Sequence, residues 1–161
     1  MRTPVIDRLM ILAFCFALAP ALAGCGGSGG GAGISKSDPK VKALLAELPP
    51  AYAAADLENG RTRFQLCRQC HTIAPDGPNM TGPNLNGVFG KPAGSNRPNY
   101  TYSTGLKASG LTWDAATLDK WITDPRAVVP GTRMSFAGMP SANDRRDVIA
   151  YAKIASSGGP N

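Results

Sequence analysis

The chain contains a single histidine, His71, in 161 residues. A structural zinc site needs four Cys or His ligands. With cysteines only at 15, 25, 67 and 70, and the first two inside a leader-like stretch, no such set can be assembled. No segment alternates polar and apolar residues cleanly enough to form a strand. No run of Lys and Arg marks a nucleic-acid patch, despite a net charge of +6. The one long apolar run, Leu9 to Leu22, is shorter than the roughly 20 residues of a comfortable membrane span. Only 17% of residues are charged, while 19 Gly and 14 Pro interrupt the chain. This length and composition fit one small, loop-rich domain with appendages, whose core is completed by a buried group.

What the chain does have is Cys67-Arg68-Gln69-Cys70-His71. Cys-x-x-Cys-His is the attachment signature of c-type haem. Two thiols on one helical turn add to the two vinyl groups of the macrocycle, and the following His places a ring nitrogen under the iron. A thioredoxin-like dithiol expects a strand before the motif and a βαβ context, and Arg63 to Leu66 supplies neither. A simple Cys67–Cys70 disulfide leaves the adjacent His without a reason. The porphyrin is also a large apolar plate, the kind of group that completes a sparse core.

Residues 1–24 read as a lipoprotein signal peptide. Arg2 and Arg8 make a positive start, the apolar run follows, and Leu22-Ala23-Gly24-Cys25 resembles a lipobox, with cleavage before Cys25 and lipid on its thiol. Removal of this segment takes away Arg2, Arg8 and Asp7 and leaves 15 basic and 10 acidic residues, net +5. That mild excess suits an acidic protein partner. Residues 25–56 are expected to be a lipid-anchored, Gly/Ser-rich tether carrying a short helix, read as local, with packing on the domain or on a partner as the alternatives. Asp38 and Pro39 start the helix, Val41, Leu44, Leu45 and Leu48 form its face, and Pro49-Pro50 stops it. As a random coil these 32 residues would reach on the order of 30 Å.

Residues 57–156 are the expected globular domain, with 157–161 a flexible tail. Leu57, Gly60/Arg61 and Phe64 mark one face of a helix leading into the haem motif, and residues 72–100 are loop. Asp114 caps a helix with Leu118, Trp121 and Ile122 on one face, ended by Pro125. Ser141 and Asp144 resemble a capping box opening a last helix with Val148, Ile149, Tyr151 and Ala152. The predicted class is all-α, three to four helices and long loops around one covalently bound haem.

The sixth iron position decides between electron transfer and ligand chemistry. With one His, bis-His coordination within the chain is excluded. The candidates are Met80, Met134 and Met139. Met80, nine residues after His71, has little chain with which to reach the opposite face. Met134 and Met139, in a Pro-Gly-bounded loop between two helices, compete on geometry alone.

From Gly60 to about Lys153 the sequence resembles the mitochondrial-type, class I small cytochromes c. The matching stretches are CRQCHT, TGPNLNGVFGKPAG, YTYS, LTWDAATLDKWITDP, PGTRMSFAG and VIAYAK, in family order and spacing. The resemblance implies haem c bound through Cys67 and Cys70, with His71 and Met134 on the iron. It implies Pro83 as the carbonyl partner of the His71 ring, and Tyr102, Trp113 and Thr132 as hydrogen-bond donors to a haem propionate. Gly60 and Phe64 would pack against Tyr151 and Val148. Three departures stand out: Lys91 where the family often carries an Arg supporting the propionates, Trp121 where many members have a Tyr bonded to the Met sulfur, and one extra residue around Asn96-Arg97-Pro98.

These readings converge on a monomeric, membrane-tethered electron carrier in the bacterial cell envelope, facing the periplasm. It would serve a respiratory chain, between a quinol-oxidising complex or dehydrogenase and a terminal oxidase, with Arg68 and Arg133 docking acidic redox partners. Two rivals stand beside it: a gas- or peroxide-binding haem protein with a displaceable Met134, and a fixed relay subunit held by the helix at 39–48.

Overall fold

The computed structural model describes residues 33–159. The expected signal peptide, the lipobox at Cys25, most of the Gly/Ser stretch and the last two residues lie outside the described residues. Among those described, the structure is helical, with no strand and one isolated bridge between Pro92 and Thr112.

Helix α1 (Pro39–Ala46) starts where capping chemistry places it, with the Asp38 carboxylate accepting from the Lys40 and Val41 N–H groups. A 3-10 turn (Pro50–Ala54) follows the proline pair. The expectation that this segment is a tether with a purely local helix is corrected. Val41, Leu45, Leu48 and Tyr52 are buried in the same core as the rest of the domain. At roughly 1.5–3 kcal/mol for each fully buried apolar side chain, such docking outweighs the tendency of an eight-residue helix to melt. The domain therefore begins near residue 34, where Ile34 packs against that core, and residue 57 is no boundary of packing.

Helix α2 (Leu57–Arg63) is capped by Asp56 and continues through Phe64 into α3 (Gln65–Arg68), which carries the first motif cysteine. Gly60 and Leu57 are buried and Arg61 is exposed, so the glycine alone faces inward at that turn. Residues 72–100 form turns and loop, as their composition predicts. Two short helices were not legible in the pattern. Helix α4 (Thr104–Ala108), capped by Ser103, is too short to show a period. Helix α6 (Pro125–Val128) begins at the proline that ends α5 (Ala115–Thr123). Asp124 accepts from the Arg126 and Ala127 N–H groups, so Asp-Pro both stops one helix and starts the next.

Helix α7 (Ala142–Ser156) is the longest, and only half of the expected capping box forms. Ser141 Oγ accepts from the Asp144 N–H, but the Asp144 carboxylate bonds Asn59 Nδ2 at 3.0 Å and faces Arg63. The start of the expected tail is tied down: Gly158 O accepts from Lys40 Nζ, and the Gly159 N–H donates to Ile154 O.

α2 and α7 cross at Gly60. A Cβ there would overlap the Asp147 backbone carbonyl and Tyr151 Cβ, so only glycine permits this approach. Phe64 meets Tyr151 with ring centroids 5.2 Å apart. Beneath the crossing, Asp147 accepts from the Asp56 N–H, Asn59 Nδ2 and the Arg146 guanidinium. Burial alone would raise its carboxyl, yet the bonds from Asn59, Arg146 and the Asp56 amide outweigh it and hold it below the usual carboxylate range.

A carboxyl depressed in the folded state stabilises the fold at pH values above its unfolded pKa, and that contribution is lost as pH falls through the folded value. Asp147→Asn should cost about 1–3 kcal/mol at pH 7 by urea unfolding of the holoprotein. The gap from the parent should shrink steadily once pH falls below about 4. A gap constant down to pH 2 would show that Asp147 acts by shape alone.

Candidate functional site

One large cleft opens in this scaffold, with predominantly apolar walls. Cys67, Cys70 and His71 line it, and Thr132, Arg133, Met134 and Met139 come to it from the loop between α6 and α7. Leu85, Val88, Phe89, Leu118 and Ile122 supply apolar surface between them. Polar residues, among them Asn84, Asn96, Tyr100, Tyr102, Trp113 and Thr132, contribute the smaller share of the lining.

The helical turn through α3 sets the motif. The Cys70 N–H donates to Cys67 O, and so does the His71 N–H at 2.9 Å, so the two thiols and the ring share a single turn. Both thiols are free. Burial pushes the Cys67 thiol up to about 11, the opposite of the lowered value that activates a redox dithiol.

His71 Nδ1 lies 2.7 Å from Pro83 O and donates to it. That bond fixes the tautomer and leaves Nε2 with a lone pair. Burial lowers the His71 pKa, opposed by the bond to Pro83, and so favours the neutral ligand form. Gly82 packs flat against the ring: a Cβ there would sit 2.6 Å from Nδ1 and 2.8 Å from Nε2. The Gly82 N–H also donates to Cys70 O, tying the strap beside the ring to the motif itself.

The remaining predicted residues are brought to the same cleft. Tyr102 Oη accepts from the Arg97 N–H at 3.1 Å, so its own hydrogen remains free to donate. Trp113 is buried, its indole N–H lacks a protein partner among the described residues, and it meets Trp121 edge-on at 5.3 Å. Thr132 Oγ1 accepts from the Met134 N–H. Met80 is exposed and does not line the cleft. Met134 and Met139 both line it; Met139 is buried in the core, and Met134 is half-exposed.

Lys91 is exposed and stands away from the cleft. The loop with the extra residue supplies another cation, Arg97, whose guanidinium bonds Asn84 and Asn86. Sequence reasoning missed Gly82, Asn84 and Arg97. A glycine next to Pro83 was the only local signal, because the polar contacts here join residues far apart in the chain.

A covalently attached macrocycle fits this site: two free thiols, an imidazole with a fixed lone pair, two thioethers in the same cleft, apolar walls and hydrogen-bond donors. No protein-family model matches the chain. It is 49% identical over 111 residues to a cytochrome c2 from Rhodomicrobium vannielii, covering 69% of this chain and 88% of that one. It is 40% identical over 125 residues to a cytochrome c homolog from Bradyrhizobium diazoefficiens, covering 78% of this chain and 64% of that one. Among solved structures, cytochrome cH from Methylobacterium extorquens matches with a TM-score of 0.58 and 42% identity, over 62% of this chain and 98% of that one.

Gly82→Ala should displace the His71 ring. We expect a loss of about 1–3 kcal/mol of holoprotein stability, the usual cost of overpacking, with a changed ferric spectrum at neutral pH. A spectrum and melting curve identical to the parent would show that the strap can shift away from the ring.

Proposed function

The chain belongs to the class I cytochromes c, electron-transfer proteins with one covalent haem c and no enzymatic activity, and we propose that it is a His71/Met134-ligated carrier tethered in the bacterial cell envelope. The observation that carries this reading is the presence of both ligand groups in one cleft, His71 oriented by Pro83 and Met134 with its N–H bonded to Thr132.

When bound, the haem supplies one-electron chemistry. The chain does the rest. Cys67 and Cys70 anchor the macrocycle, and the ring of His71 is held by a carbonyl that raises its basicity. Met134 would be the second iron ligand, and a thioether in that role favours ferrous iron. The apolar walls exclude water, and low polarity disfavours the extra charge of the ferric state. Tyr102, Trp113 and Thr132 line the cleft and would donate to the propionates.

The tether is shorter than residues 25–56, because the chain from Ile34 onward packs on the domain. If Cys25 carries lipid, residues 25–33 treated as coil would reach roughly 15–18 Å. A carrier held this closely suits fixed neighbours facing the periplasm, a quinol-oxidising complex or dehydrogenase on one side and a terminal oxidase on the other. The rival reading of a relay subunit gripped by the helix at 39–48 loses its handle, since the buried face of α1 is already covered. Arg133 does reach the rim of the cleft, but it is exposed and bonded to Thr101 O, a poor arrangement for gripping a small iron ligand. Arg68 and Arg133, both exposed, remain available to dock acidic partners, with the protein acting as a monomer.

The ferric holoprotein should show the weak far-red Met–iron band, and the ferrous form should ignore CO. Met134→Ala should abolish the band and admit CO, while Met139→Ala should keep the parent's spectrum. If Met139→Ala alone opened the iron, the ligand assignment would be reversed. A parent that binds CO readily would overturn the carrier reading in favour of ligand chemistry.

For docking, oxidation of the ferrous protein by ferricyanide, an anionic acceptor, should slow with rising salt. Arg133→Glu should be several-fold slower at low ionic strength and less salt-dependent. Equal rates for parent and variant at every salt concentration would remove Arg133 from the docking surface.

A further inference from the structure

We propose that Arg97 is a positioning residue of the haem site: its guanidinium clamps Asn84, the residue that follows Pro83, and so fixes the carbonyl that orients His71. The inference rests on the reading of His71 as an iron ligand.

Arg97 lies in the loop that carries the extra residue, and it is half-buried. Its Nε donates to Asn84 O at 3.2 Å, and its Nη2 donates to Asn84 Oδ1 at 2.5 Å and Asn86 O at 2.8 Å. Asn96 Nδ2 adds a bond to Asn86 O at 3.1 Å and a longer one to Asn84 O at 3.4 Å. No carboxylate pairs with Arg97 among the described residues. Desolvating a guanidinium is costly unless its donors are satisfied, and here the protein satisfies them with carbonyl oxygens of two residues just beyond Pro83.

Those carbonyls matter because of what they are joined to. The Pro83 carbonyl and the Asn84 N–H share one rigid peptide plane. The Asn84 N–H donates to Asn79 Oδ1 at 2.9 Å. Its side-chain Nδ2 lies within 2.6 Å of Thr72 Oγ1 and 2.8 Å of Ala74 O, on the chain just after His71. Asn84 is 1% exposed, so every polar group it has must be satisfied by protein. The Asn79 and Thr72 side holds one end of this residue, and Arg97 holds the other. With both in place, the Pro83 oxygen cannot swing away from the ring.

Arg97 also reaches the cleft by a second route, its N–H donating to Tyr102 Oη. One residue therefore ties together the loop beside the axial ligand and the aromatic group on the cleft wall. The planar fork is what the clamp requires. Lysine keeps the charge but offers a single point of attachment.

Arg97→Lys isolates the clamp from the charge. A freer Pro83 carbonyl would accept less strongly from His71, the ring would donate less to the iron, and the ferric state would lose support. At a fixed ambient potential, the ratio of reduced to oxidised holoprotein should rise by about threefold to tenfold, tenfold being 59 mV for one electron. The His71 Nδ1 proton, followed by NMR in the reduced protein, should exchange faster. Asn96→Ala should move both readouts in the same direction by less. If Arg97→Lys melts earlier but leaves the ratio and the exchange rate unchanged, Arg97 only braces the loop and the proposal is wrong. If His71→Ala, made in parallel, retains the parent's low-spin spectrum, the ligand assignment beneath it fails instead.

Discussion

The hydrogen bond from the His71 ring to the Pro83 carbonyl, 2.7 Å long, joins the two halves of this structure. On one side of it is the helical turn bearing the two thiols, whose geometry is local. On the other is a loop without regular structure, whose geometry is not. A ring nitrogen beneath an iron has to be aimed within a fraction of an ångström, and a loop can do that only if its own freedom is removed. Gly82 lies flat against the ring, Asn84 is bonded at every polar atom, and Tyr100 donates to Thr81 O just upstream. The long loop is thus the support of the ligand, which is why its Gly, Pro and Asn content coexists with order.

The crossing of α2 and α7 sets the position of the motif relative to everything else. Gly60 brings the two backbones together, and Phe64 packs on Tyr151 one turn before Cys67. Asp147, buried under the crossing, is satisfied by Asn59, Arg146 and the Asp56 amide. The N-terminal segment reinforces the same helix from its far end. The Lys153 ammonium meets Glu47 at 2.6 Å and lies over the Phe89 ring, and the Lys40 ammonium reaches the Gly158 carbonyl. Both ends of α7 are therefore braced, and the cleft is held between braced walls.

What was legible in the sequence was whatever depends on neighbours in the chain. Asp38, Asp56, Ser103, Asp114, Asp124 and Ser141 all cap helices, and the starts with a clear apolar period after them were readable. The Cys-x-x-Cys-His turn and the loop at 72–100 were readable for the same reason. The α1 face was visible as a period, but a period does not say what covers it, so burial against the core was only one of the alternatives. Short α4 and α6 have no period to show. The Met pair is the sharpest case. Met134 and Met139 both line the cleft, so neither spacing nor placement alone separates them, and their different burial is only indirect support for Met134.

Arg97 shows why polar networks escape sequence reading altogether. Its partners are main-chain oxygens eleven and thirteen residues away, a contact type that leaves no mark on composition. Lys91 is exposed away from the cleft. Arg97 does not line the cleft either, and it acts on the site through Asn84, the residue after Pro83. A point charge fixes no orientation, whereas a planar fork that meets two oxygens of Asn84 and one of Asn86 holds that residue in place.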